Sequence, residues 1–114
     1  MQRDDGMARS LQEVKESVKR FNECISRQLP VRKVLLYGSY AKGSARIDSD
    51  IDVAVFLDCP DHSERLKLAA KLFHFAGDID VEIEPKCFFW DEYNNCLQGS
   101  ILSEILSTAI EVES

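Results

Sequence analysis

The chain has 114 residues, 30% of them charged, and carries a formal net charge of -6 with a pI of about 4.9. That length supports one hydrophobic core and leaves no room for a separate substrate-binding domain. The acidic balance excludes a long phosphate-tracking groove, which needs clustered lysine and arginine, while leaving the end of a nucleic acid within reach.

Residues 1–9 are polar and patternless, so they are expected to fray, and a single domain is expected over 10–114. From Ser10, the apolar residues Leu11, Val14, Val18, Phe21 and Ile25 recur three or four apart. This predicts an amphipathic helix ending near Leu29-Pro30, where proline forbids continuation. Arg32 and Lys33 lead into an apolar run, Val34 to Tyr37, which stops at Gly38-Ser39. A short helix over Ser39 to Ser44 and a polar loop over Ala45 to Ser49 bring the chain to Asp50-Ile51-Asp52 and a second apolar run, Val53 to Leu57. Both runs read as buried strands.

After a proline-containing turn, Asp61 and Glu64 have capping-box spacing. The next helix is expected over about Ser63 to Ala76, burying Leu66, Ala69, Leu72, Phe73 and Ala76, with Gly77 as its stop. Asp78 to Pro85 alternates strictly and predicts a half-buried strand with Asp80, Glu82 and Glu84 on one face. Leu97, Ile101, Leu102, Ile105, Leu106, Ala109 and Ile110 then trace an amphipathic helix, expected to pack on its own core. The fold class is therefore α/β (α+β): a small mixed sheet with helices on one face and acids on the other, open face.

The four cysteines (Cys24, Cys59, Cys87, Cys96) form no Cys-x-x-Cys pair, and His62 and His74 are not at ligand spacing to them. Free thiols in a reducing cytoplasm are the expectation. No apolar run is long enough to span a membrane, and the N-terminus lacks the form of a signal peptide.

The chemistry concentrates between Val34 and Leu57. In an extended chain Asp50 and Asp52 share a face, so two carboxylates converge beside a glycine-serine turn. Hard divalent cations holding phosphate need such oxygens. A Walker A loop fails because Ser44-Ala45 stands where lysine and a hydroxyl residue are required, and a dinucleotide fingerprint fails at Tyr40. An EF-hand loop begun at Asp48 fails because its sixth and twelfth positions are Val53 and Cys59.

Gly38-Ser39, ten intervening residues, then Asp50-Ile51-Asp52, with an apolar run beside each piece, resembles the signature of the DNA polymerase β-type nucleotidyltransferase superfamily. GSYAKGSARIDSDIDVAV is similar, more narrowly, to the minimal nucleotidyltransferases found as antitoxin partners of HEPN-domain toxins. The resemblance implies a polymerase β-like nucleotidyltransferase fold. It implies that Gly38 and Ser39, with the N–H groups opening the next helix, hold the terminal phosphates of ATP, and that Lys42 adds a charge there. Asp50 and Asp52 are then ligands of two magnesium ions, and a third carboxylate is ligand and general base. Asp80, Glu82 and Glu84 all offer themselves; relatives with an Ile-Glu-Pro element favour Glu84, then Asp80. Arg46 and Ser49 flank the acids and steady either phosphate or the loop.

The implied reaction is transfer of AMP to a hydroxyl, in this family a tyrosine of a HEPN toxin, which the antitoxin thereby neutralises. Tyr37, Tyr40 and Tyr93 are read as packing residues. The alternatives are an antitoxin acting by contact alone and a small-molecule (antibiotic) nucleotidyltransferase.

Overall fold

Ser10 opens the first helix reciprocally: its hydroxyl accepts from the Glu13 N–H at 3.1 Å, and the Glu13 carboxylate accepts from the Ser10 N–H at 3.3 Å. The computed structural model describes residues 8–96 and 100–114. Its elements are α1 (Leu11–Ser26), β1 (Val31–Tyr37), α2 (Ser39–Lys42), β2 (Ile51–Leu57), a 3-10 turn (His62–Glu64), α3 (Arg65–Ile79), β3 (Ile83–Phe89), α4 (Trp90–Asn94), α5 (Ile101–Thr108) and β4 (Ile110–Glu111).

The four strands lie in the order β3-β2-β1-β4; β2 and β3 are parallel, and β1 is antiparallel to both of its neighbours. β2 sits centrally with Ile51 and Val53 to Leu57 all buried, as its unbroken apolar run requires. Val34 and Leu36 of β1, Ile51, Val53, Val55 and Leu57 of β2, and Ile83, Cys87 and Phe89 of β3 face one way. They meet Val14, Val18, Phe21 and Ile25 of α1 and Leu72 and Ala76 of α3 in the main core.

The other face carries more cover than its acids suggested. Leu35, Ala54 and Phe56 lie under Ile105 of α5, joined by Tyr93 and Trp90 of α4, Phe88, Leu102 and Leu106. The final helix packs at home, as expected, but it ends at Thr108. Ile110 and Glu111 then pair with Leu36 and Leu35 as β4. The Asn22 amide of α1 donates to the Val112 carbonyl at 2.9 Å and secures that strand. Leu97, expected on the last apolar face, lies outside the described residues. No helix among the described residues is long and apolar enough to cross a membrane.

Two of the boundaries that differ from the sequence expectation bear on the site. α3 runs through Gly77, whose φ is not positive, and closes at Asp80. Leu66 and Phe73, expected inside, are 84% and 62% exposed. Because the helix runs to Ile79, β3 starts five residues later than the alternation suggested. Asp80 and Glu82 therefore occupy a turn: the Asp80 carboxylate accepts from the Glu82 N–H at 3.0 Å, and the Ile83 N–H donates to the Asp80 carbonyl.

Arg9, counted by the sequence reading in the frayed segment, pins this turn. Its guanidinium reaches Asp80 at 2.6 Å, Glu82 at 2.9 Å and the Ser17 hydroxyl at 3.0 Å. Burial opposes ionisation of Asp80, but Arg9, the Glu82 N–H and Ser17 outweigh it and hold its pKa below the ordinary value. A carboxyl depressed in the folded state contributes stability above its unfolded pKa, about 4, and loses it as pH falls further. Arg9→Ala is accordingly expected to cost about 2 kcal/mol at pH 7 in chemical denaturation, a deficit that shrinks below about pH 4.

Candidate active site

β1 ends where β2 and β3 begin, and one row of side chains crosses the sheet there. Tyr37 stands opposite Asp52, and Asp52 stands opposite Glu84. Neighbouring strands lie roughly 4.8 Å apart, so the two carboxylates are held as facing like charges, an arrangement that destabilises a sheet. Burial first, then Glu84 and Asp50, push the Asp52 carboxyl above its ordinary pKa, and Lys86 draws it back only partly. The Tyr37 phenol is pushed up to about 12 by burial and then by Asp52 and Glu84, so it keeps its proton at neutral pH.

Gly38 makes this crowding feasible. At φ +77° it turns the chain from β1 into α2, and any Cβ there would collide with the Asp52 carboxylate. Both demands select glycine. As the N-cap of α2 it also offers no side chain to the first-turn N–H groups, leaving donors such as an anion uses. Ser39 is the first residue of that turn, partly exposed.

The structure sorts the candidate acids. Asp52 and Glu84 meet in register, and Asp50, exposed one residue before β2, is near enough for Asp52 to feel its charge. Asp80, expected as an alternative third carboxylate, is engaged by Arg9, and Glu82 shares that partner. Ser49, expected near the nucleotide, uses its hydroxyl to accept from the Arg46 N–H at 2.7 Å and closes the loop. Among the described residues no three His, Cys, Asp or Glu side chains are drawn together tightly enough to hold a metal unaided. Two facing carboxylates still suit magnesium, which typically takes one or two of them and completes its shell with phosphates and water.

Lys42 lines a pocket of about 230 Å³ beside the acids, together with Tyr37, Gly38 and Lys86. Lys86 lies outside the sequence-based site, since a lysine in an alternating strand reads as a solvated face. The signal lay in its spacing, two residues beyond Glu84 and so on the same side of β3. A depression of about 330 Å³ lined by Gln28, Leu29 and residues of α3 shares nothing with the carboxylate row.

Residues 18–94 match the family described as nucleotidyltransferase domain. The chain belongs to that family. A Methanocaldococcus jannaschii protein named "Putative protein adenylyltransferase" is 33% identical over 81 residues, covering 68% of this chain and 80% of its own. A second protein so named from that organism is 28% identical over 103 residues, covering 88% and 99%. In fold, this nucleotidyltransferase matches the crystal structure of a "putative nucleotidyltransferase" from Sulfolobus solfataricus, with TM-score 0.60 and 16% identity over 93% of this chain and 88% of that one. It also matches a chain of a toxin-antitoxin crystal structure with AMP-PNP, with TM-score 0.52 and 20% identity, covering 86% and 71%.

Two substitutions test the strain stored in this nucleotidyltransferase. A carboxyl raised in the folded state costs stability as pH climbs through its pKa, so Asp52→Asn should stabilise the protein at pH 7. Partial exposure limits the gain to about 1 kcal/mol, and it should vanish below about pH 4 in thermal melts at several pH values. Gly38→Ala should do the reverse, costing about 2 kcal/mol through its positive φ and the displaced Asp52.

Proposed function

We propose that this nucleotidyltransferase moves AMP from ATP onto a hydroxyl of a partner protein, a tyrosine of a HEPN-type toxin, and so acts as its antitoxin. The observation carrying this reading is the in-register pairing of Asp52 with Glu84 against the Gly38 turn. Membership of the family gives nucleotidyl transfer, the archaeal relatives' names suggest a protein acceptor, and the toxin-antitoxin neighbour suggests the kind of partner. The four free cysteines suit a reducing cytoplasm, where ATP is at hand.

In this reading the open N–H groups after Gly38, with Ser39, take the terminal phosphates, and Asp50, Asp52 and Glu84 would hold magnesium. When bound, the metal supplies charge neutralisation along the triphosphate. Glu84, exposed at the rim and the more accessible of the facing pair, accepts the proton of the attacking hydroxyl. The acceptor oxygen bonds to the α-phosphorus, the bond from that phosphorus to the bridging oxygen breaks, and pyrophosphate leaves. Asp52, raised in pKa by its surroundings, is a ligand whose discomfort a cation relieves.

Incubation of the full chain with ATP labelled at the α-phosphate, magnesium and a co-expressed partner should put label on the partner. Asp50→Asn combined with Asp52→Asn should lower the rate by about 10³-fold or more while the complex persists on gel filtration. A double variant that still neutralises the partner fully would establish the contact-only reading instead.

A further inference from the structure

The pocket beside the acids has a composition the reaction described above does not use. Its walls are Lys42 of α2 and Lys86 of β3 on one side, and Ile101, Glu104, Ile105 and Thr108 of α5 on the other. Neither lysine makes a hydrogen bond or ion pair among the described residues, which is equally true of Lys15, Lys19, Lys67 and Lys71; what sets these two apart is that they line one cavity. Lys86 is near enough to Asp52 to lower its pKa and still leaves it short of a direct bridge. Ile101, at the first turn of α5, is 72% exposed. An acidic protein thus keeps two uncommitted cations and an uncovered isoleucine around one cavity next to its carboxylate pair.

The geometry orders these groups. Lys42 is the last residue of the short helix that Gly38 begins and shares the pocket wall with Gly38. Lys86 lies two residues past Glu84 on the same face and pairs across the sheet with Ala54, the same-face successor of Asp52. Across the pocket from it stands α5. At about 230 Å³ the pocket is below the roughly 300 Å³ at which sites for whole drug-sized ligands begin, so it suits part of a nucleotide rather than all of it.

We propose that Lys86 contacts the α-phosphate of the bound nucleotide and that the pocket between α2 and α5 seats the attached nucleoside, with Ile101 as its apolar wall. The proposal rests on the nucleotide-donor reading above and adds to it a residue that touches the reacting phosphate. Lys42, by contrast, serves the leaving phosphates. The two lysines therefore differ in which fragment of the donor they hold.

That difference can be measured by isothermal titration of the full chain with AMP and, separately, with pyrophosphate, both in magnesium. Lys86→Met should weaken AMP about tenfold, the size of one charge-assisted contact, and change pyrophosphate less than twofold. Lys42→Met should give the opposite split, Ile101→Ser should weaken AMP alone, and Lys86→Arg should keep AMP within threefold. Circular dichroism and melting temperature establish that each variant is folded. Equal loss of AMP and pyrophosphate in Lys86→Met, or loss of neither, overturns the proposal. If the AMP-selective loss is found but wild type transfers no label to a partner, the nucleoside seat stands and the transfer reading falls. Transfer intact in wild type with no AMP-selective loss does the reverse.

Discussion

Two carboxylates are held face to face across a parallel strand pair, with a glycine packed onto one of them, and much of the molecule follows from sustaining that opposition. Asp52 is the second residue of the central strand, set between buried Ile51 and the run buried from Val53 onward, so it cannot swing away without dragging the core. Glu84 is fixed opposite by the register that also buries Ile83 against the helices. A one-residue slip of either strand would put a carboxylate into the core, which is why register here is strongly specified. The like-charge repulsion is thus built on the most rigid part of the fold.

The chain keeps its other acids from joining that pair. Asp80 and Glu82 are close in sequence to Glu84, and in a continuous strand they would have stacked three carboxylates on one face. α3 instead extends past Gly77, the backbone turns, and Arg9 neutralises both on the opposite side of the sheet from Glu84. Arg65 does similar service farther along: it bonds Glu92 at 2.6 Å and the Cys87 carbonyl at 2.9 Å, while Glu92 accepts from the Phe89 N–H. Charges needed only for structure are paired, and those of the carboxylate row are left facing one another.

Patterns of period two and 3.6 made most of this legible. The first helix, the two central strands and the glycine-serine turn could be read because each is a local consequence of side-chain spacing. The start of β3 could not, since Asp78-Ile79 continues a helix as readily as it opens a strand, and Arg9, seventy-one residues from Asp80, decided between them. β4 escaped for the converse reason: Ala109 and Ile110 extend an apolar helical face, yet a partner strand 74 residues earlier offers them a ladder. Lys86 was visible as a residue and invisible as a pocket wall, because the cavity it lines is completed by α5, which packs on the same sheet face.

The second face of the sheet shows how a small domain combines cover with access. α4 and α5 protect Leu35, Ala54 and Phe56, where the strands run deepest, with Trp90 stacked on Tyr93 and Tyr93 set edgewise to Phe56. Had the cover continued to the carboxylate row, Asp52 and Glu84 would have been sealed in as an uncompensated pair, at a desolvation cost no local hydrogen bond here offsets. Stopping one residue pair short, at Ala54 and Lys86, leaves the charges beside solvent and leaves a cavity against α5. The same incomplete coverage that keeps the acids affordable is therefore what gives a phosphate-bearing substrate a way in.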